Sequence, residues 1–290
     1  MTYVLLVIIV SIVGNLLIIT VIITNHRLRS VDNLLIVNLS VSDFLLTLIE
    51  CGSNTLRQLK PDWTPPHPFM CYIILASSVL CGAASIFTQS AVAVNRYASV
   101  AHPLTYDLII SHKRLALAIA VIWIGAISLS CPPLIWRPLA VVCGTESYND
   151  DVQSEIVYMA AEWLFLFFLP FALMVIIYLK IYKIALWHAR RVVPIINQYD
   201  GKQNRIRNLK KELKAAKMLI TLSGLFFVSW FPFFIVLTCH KFSSESINPT
   251  IFIVFLYMIY TAPALNPFVY AFWNKEIRTA AMRLLKISRE

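Results

Sequence analysis

Apolar residues run almost unbroken along this chain, and polar residues gather in the short intervals between the runs. Seven runs are long enough to cross a bilayer as helices, which takes about 20 residues. They lie near 3–24, 33–57, 68–99, 113–136, 154–188, 206–240 and 248–272. Lipid satisfies no backbone hydrogen bonds, so each run must be helical or belong to a closed barrel. Barrel strands alternate over about ten residues, whereas these runs are longer and uniformly apolar. The pattern predicts an all-α membrane protein, a single seven-helix bundle over residues 1–290. After the last run, Ala280-Ala281-Met282-Arg283-Leu284-Leu285-Lys286 mixes basic and apolar residues at helical spacing. That predicts a short amphipathic helix near 274–286, lying on the inner leaflet.

A few polar residues break the runs, and each needs a partner or a task there. Asn15 interrupts the first run, Asp43 the second, Ser85 the third and Asn266 the seventh. They are expected either to form a hydrogen-bond cluster between helices or to hold a small hard cation such as sodium, which prefers oxygen ligands. Prolines 170, 232 and 267 fall inside the fifth, sixth and seventh runs. Each removes one ladder bond and can kink its helix, which makes a bundle with two packings an expectation.

Composition narrows the class further. Of 290 residues, 59% are hydrophobic and only 14% charged, with mean hydropathy +0.72. A soluble domain carries far more charge. The net charge of +10 could point to nucleic acid, but its distribution does not. With residue 1 outside, only Arg57, Lys60, Arg137 and Lys241 lie on outer segments, leaving 21 of the 25 Lys and Arg on inner ones. The excess of inner cations sets the N-terminus outside and favours anionic lipid as a partner. No nucleic acid is expected. Asn15 and the lack of a small-residue cleavage site make the first run a span and not a leader. The one sequon, Asn38-Leu39-Ser40, falls inside the second run and is expected to carry no sugar. Of six cysteines, Cys71 and Cys143 fall on the outer side. A disulfide between them is the expectation in an oxidising compartment.

The motifs then fall in order along the runs. Gly14-Asn15 is in the first, and Leu39-Ser40-Val41-Ser42-Asp43 is in the second. Cys71 opens the third, which ends Asn95-Arg96-Tyr97 before Pro103-Leu104 and Tyr106. Trp123 is in the fourth, and Pro170 and Tyr178 are in the fifth. Phe226 and Ser229-Trp230-Phe231-Pro232 mark the sixth, and Asn266-Pro267-Phe268-Val269-Tyr270 the seventh. In this order the chain resembles a rhodopsin-family (class A) G-protein-coupled receptor over nearly its whole length. The resemblance implies a multi-pass receptor of the plasma membrane with a heterotrimeric G protein as partner. It implies that Arg96 holds the resting state and then meets the G protein, with Tyr97, Tyr178, Pro232, Asn266, Pro267 and Tyr270 completing the switch. The family usually has aspartate where Asn95 stands. The restraint on Arg96 is therefore expected to come from Glu212 at the foot of the sixth helix, with Asn95 contributing little.

The same resemblance bounds the ligand. Amine receptors carry an aspartate seven residues after the paired cysteine, where this chain has Ser78. Opsins carry a lysine where it has Tyr260, so no retinal is expected. A small, cationic ligand is expected between Glu162 and an aromatic floor of Trp230, Phe233, Phe234 and Tyr260, with Glu50 a further acid in the outer half of the second run. Rings gain roughly 0.5–2 kcal/mol from a cation. Peptide-like and melatonin-like ligands remain alternatives, as do a decoy receptor, for which Asn95 argues, and an ion pathway through Asp43. No nucleophile–base pair or metal-ligand cluster suggests an enzyme, and no cofactor beyond sodium on Asp43, Ser85 and Asn266 is expected.

Overall fold

The computed structural model describes residues 2–60, 62–67, 69–103, 105–136, 152–195, 201–242 and 248–285. The helices are α1 (Thr2–Thr24), α2 (Val31–Leu59), α3 (Phe69–Ala101) and α4 (His112–Ser130). α5 runs in three stretches, Val152–Glu162, Trp163–Phe168 and Leu169–Ile195. α6 (Gly201–Phe242), α7 (Pro249–Trp273) and α8 (Lys275–Leu284) follow. Seven of these are long and apolar enough to cross a membrane, and the one predicted tail helix is α8.

Local chemistry sets the starts. Ser30 and Ser111 cap α2 and α4 by accepting from the amides of Asn33 and Arg114. Asn248 caps α7 ahead of Pro249, and Asn274 caps α8 by accepting from Glu276 and Ile277. These side chains satisfy amides that have no partner in a first helical turn. Several boundaries differ from expectation: the fifth helix runs on to Ile195 and the sixth starts at Gly201. The fourth helix ends at Ser130 and not near 136, because Pro132 and Pro133 follow and cannot continue the ladder. A separate turn, Pro133–Trp136, comes after.

α3 is the central post, packed against α2, α4, α5 and α6, while α7 closes the ring between α6 and α1. α8 folds back onto α1 and α7. The perimeter is apolar: Leu6, Ile9 and Val13 on α1, Val121 and Ile124 on α4, and Phe268 on α7 are exposed. Such a surface suits lipid and not water.

The prolines and glycines explain how α1, α3, α6 and α7 come so close. Pro267 has no amide hydrogen, so the carbonyl of Pro263, four residues earlier, loses its ladder donor. Asn15 of α1 supplies the bond instead, its Nδ2 donating to that carbonyl at 3.1 Å. A Cβ on Gly14 would lie 2.8 Å from the Pro267 ring, so glycine is what lets α1 approach. A Cβ on Gly82 of α3 would lie 2.7 Å from the Trp230 indole. Pro170 follows a wide turn, Trp163–Phe168, in which the ladder is already loosened. A second wide turn, Thr47–Cys51, rotates the far end of α2. Beyond it Asn54 donates to the Tyr260 hydroxyl at 2.7 Å, and Gln58 accepts from Tyr257 at 2.9 Å.

Candidate functional site

Midway through the bundle, α2, α3 and α7 bring the interrupting polar residues together. Ser85 Oγ donates to Asp43 Oδ1 at 3.3 Å, and Asn266 Nδ2 donates to Asp43 Oδ2 at 2.7 Å. Ser42 Oγ lies 2.9 Å from Ser85 Oγ. Asp43, Ser85 and Asn266 face a small cavity shared with Phe226, Trp230, Pro263 and Gln89. It has room for about one water-sized guest. Gln89 carries a buried carbonyl oxygen with no partner, a residue the sequence reading passed over because one amide in an apolar run has no periodic signal. Asn15 joins through Pro263 and Ser11, and Ser11 reaches Thr47 of α2 at 2.7 Å.

Directly beside that cavity the aromatic residues begin. Trp230 stacks on Phe226 with centroids 5.3 Å apart and touches Phe234 at 6.4 Å. Phe234 in turn meets Phe167 at 4.6 Å and Trp163 at 5.8 Å, both from α5. The expected floor of four rings divides here. Phe233 packs on Phe252, and Tyr260 on Tyr257, so those two belong to the α7 side. Pro232 lies in this stretch of α6 without ending the helix.

At the same end stand three residues expected to meet a ligand. Ser78 is half-buried, and its hydroxyl donates back to the Leu75 carbonyl at 3.4 Å. Glu162 is 3% exposed, at the junction with the wide turn of α5, and is engaged with other residues. Glu50 sits in the wide turn of α2, where its Oε2 is buried without a hydrogen-bond partner. It lies within electrostatic reach of Tyr260 and Cys81. The Cys71 that opens α3 is disulfide-bonded, while Cys51, Cys81, Cys131 and Cys239 are free. Cys143 lies outside the described residues.

The opposite, basic end holds Arg96. Its Nη2 pairs with Asp32 Oδ2 of α2 at 3.0 Å. The expected partner Glu212 lies on α6, but its side chain is outside the described residues. The expectation that Asn95 contributes little needs correction. Its Nδ2 donates to Asp32 Oδ1 at 2.6 Å, and its own Oδ1 accepts from the Tyr106 hydroxyl at 3.3 Å. Asn95 therefore holds the acid that Arg96 pairs with. Nearby, Lys180 of α5 lies 5.5 Å over the Tyr97 ring. Tyr178 is half-buried where the two apolar clusters of the bundle meet. Tyr270 is fully buried with an unpartnered hydroxyl.

The sequon residue Asn38 is buried, donating to Thr88 at 2.7 Å and accepting from Trp123 at 2.9 Å. It ties α2, α3 and α4 together.

Comparison with known proteins agrees with this arrangement. The sequence model of the family described as "7 transmembrane receptor (rhodopsin family)" matches residues 14–270. The chain is 31% identical over 285 residues to the histamine H2 receptor of Rattus norvegicus, covering 96% of this chain and 76% of that receptor. It is 32% identical over 293 residues to the histamine H2 receptor of Cavia porcellus, with the same coverage. It is 28% identical over 320 residues to the alpha-1D adrenergic receptor of Rattus norvegicus, covering 96% of this chain and 56% of that receptor. These relatives are receptors and not enzymes. With seven helices long and apolar enough to span a membrane and a family match over residues 14–270, the chain belongs to the rhodopsin family of seven-transmembrane receptors.

Proposed function

We propose that this receptor binds a small cationic amine at the end bearing Glu50, Ser78 and Glu162, and drives nucleotide exchange on a heterotrimeric G protein at the end bearing Arg96. The first end faces outside, with the N-terminus, as the distribution of Lys and Arg favours. The observation that carries the amine reading is Glu50. A carboxylate oxygen buried without a partner is costly, and an ammonium would satisfy it with a charge-assisted bond. Tyr260 of α7 lies within electrostatic reach of it, with its hydroxyl accepting from Asn54, and a tyrosine ring attracts a cation of this kind. Glu162 was the first expectation from sequence. What favours Glu50 is that Glu162 is already engaged. The names of the relatives, histamine H2 and alpha-1D adrenergic receptors, point to the same ligand class.

Binding acts on the bundle through differential affinity for its two packings. Trp230 and Phe226 join the ligand end to the Asp43 cavity, and Tyr178, Tyr270 and Arg96 lie beyond it. A decoy reading rested on Asn95 alone. Since Asn95 builds a restraint around Arg96, the signalling reading is the better supported. A sodium ion suits the Asp43 cavity, with Asp43, Ser85 and the unpartnered Gln89 oxygen as oxygen donors. Asn266, which now donates to Asp43, would turn its own oxygen inward. The partner of the bonded Cys71 is Cys143, the remaining cysteine of the outer side. The test is a panel of amines, peptides and neutral indoles, read as nucleotide exchange on several G-protein subtypes. An amine agonist supports the reading, and activation only by anionic or uncharged compounds overturns it.

A further inference from the structure

We propose that Asp32 is the residue that positions Arg96 at rest, and that Asn95 and Tyr106 hold Asp32 in place for that task. The inference rests on the reading of Arg96 as the residue that meets the G protein. Three separate parts of the chain converge here: the first turn of α2, the last turns of α3, and the turn Tyr106–Ile109. Both oxygens of Asp32 are used. Oδ2 pairs with the Arg96 guanidinium at 3.0 Å, and Oδ1 accepts from Asn95 at 2.6 Å. The Tyr106 hydroxyl, donating to the Asn95 oxygen at 3.3 Å, fixes which way that amide points. Its NH2 group can then face only the acid.

A simpler role for Asp32 has to be weighed first. It lies in the first turn of α2, just after the capping Ser30, where an acid complements the helix dipole. A dipole role asks only that the charge sit near the helix amides. It does not ask for both oxygens to be turned onto α3. The pair is also not an exposed one, with side chains 20% and 19% accessible. An ion pair held by two further hydrogen bonds is worth more than a lone surface pair.

The geometry also says how the restraint lets go. α2 and α3 pack along their length, so a moving α6 does not separate Asp32 from Arg96. The pair breaks only when the arginine side chain itself swings away. Asp32 therefore sets the cost of turning Arg96 from α2 towards the middle of the basic end, where a partner would meet it. The acid and the amide could also exchange places. A carboxylate at position 95 and an amide at position 32 would leave Arg96 one acid, Tyr106 one acceptor and the acid one amide donor.

That exchange supplies the test. Ligand-free nucleotide exchange and melting temperature are measured for the parent receptor, Asp32→Asn, Asn95→Asp and the double variant, at matched amounts of purified protein. Asp32→Asn should raise basal exchange about five-fold, roughly what a partly shielded ion pair is worth. Asn95→Asp should raise it too, because it sets a second carboxylate against Asp32 and removes its donor. Each single variant should melt about 2 °C lower or more. The double variant should return to within about two-fold of the parent in exchange and should regain the lost melting temperature. If Asp32→Asn lowers melting without raising basal exchange, Asp32 is only a helix-end acid and the proposal falls. If the double variant behaves as the sum of the singles, the two residues are not coupled and it falls as well. The melting cycle needs no G protein. Restored melting together with no exchange from any variant, agonist present, would instead sink the G-protein reading and leave the cluster standing.

Discussion

Removing the Asn15 amide should cost the bundle more stability while Pro267 is present than after that proline is replaced. Asn15 is fully buried, and its Nδ2 donates to the Ser11 carbonyl at 2.9 Å and to the Pro263 carbonyl at 3.1 Å. The second bond exists because Pro267 has no amide hydrogen to offer that carbonyl. Side-chain bonds between membrane helices average about 0.6 kcal/mol and reach about 1.7 kcal/mol. A carbonyl left buried without a partner sits at the upper end or above it. Asn15→Ala should therefore cost about 1–2 kcal/mol, a fall in melting midpoint of about 2–4 °C or more for a chain of this size. In a Pro267→Ala background the ladder amide is restored, and it can serve the Pro263 carbonyl itself. Asn15→Ala should then cost less than half as much. The Ser11 bond is lost in both backgrounds and cancels. Thermal unfolding of the four purified proteins in one detergent measures the coupling. An equal loss in both backgrounds would show that Asn15 does not stand in for the missing amide.

Two further outcomes follow from the same midsection. Gly82→Ala would set a methyl 2.7 Å from the Trp230 indole, and overpacking of this kind costs about 1–3 kcal/mol; melting should fall and amine-stimulated exchange should change, whereas unaltered melting and signalling would mean that Trp230 is free to move aside. Sodium should raise the melting midpoint above that in an equal concentration of a bulky organic cation, and Asp43→Asn should abolish the difference. Equal stability in both salts would remove the ion from the account.

The parts of this receptor legible from sequence were those in which a residue contradicts its surroundings. Asp43 and Asn266 stand out in apolar runs, and the structure joins them at 2.7 Å. Prolines within runs likewise marked Pro267 and its neighbourhood, though not that Asn15 would repair it. What was hidden was whatever had an ordinary local explanation. Asp32 reads as a helix-start acid after Ser30, and nothing in sequence says that it faces α3. Asn95 reads as a weakened aspartate, when it is a donor to a carboxylate that sits 63 residues away. The wide turns at Thr47–Cys51 and Trp163–Phe168 leave no trace in a uniformly apolar run, yet one of them aims Glu50 and Asn54. The expected floor treated four rings as one surface. Adjacent positions such as Phe233 and Phe234 point about 100° apart on a helix, so they pack on different neighbours.

The claim that matters most is that a carboxylate on α2 receives an ammonium. It is tested by the potency of the best amine agonist from the panel on Glu50→Gln and Glu162→Gln receptors, read as G-protein nucleotide exchange at equal surface amounts. Glutamine keeps the shape of the side chain and removes its charge. A charge-assisted bond in a dry site contributes about 1.5–3 kcal/mol, so Glu50→Gln should weaken potency about 10- to 100-fold, with Glu162→Gln the milder change. Full potency on Glu50→Gln receptor, or a loss confined to Glu162→Gln, would contradict the account.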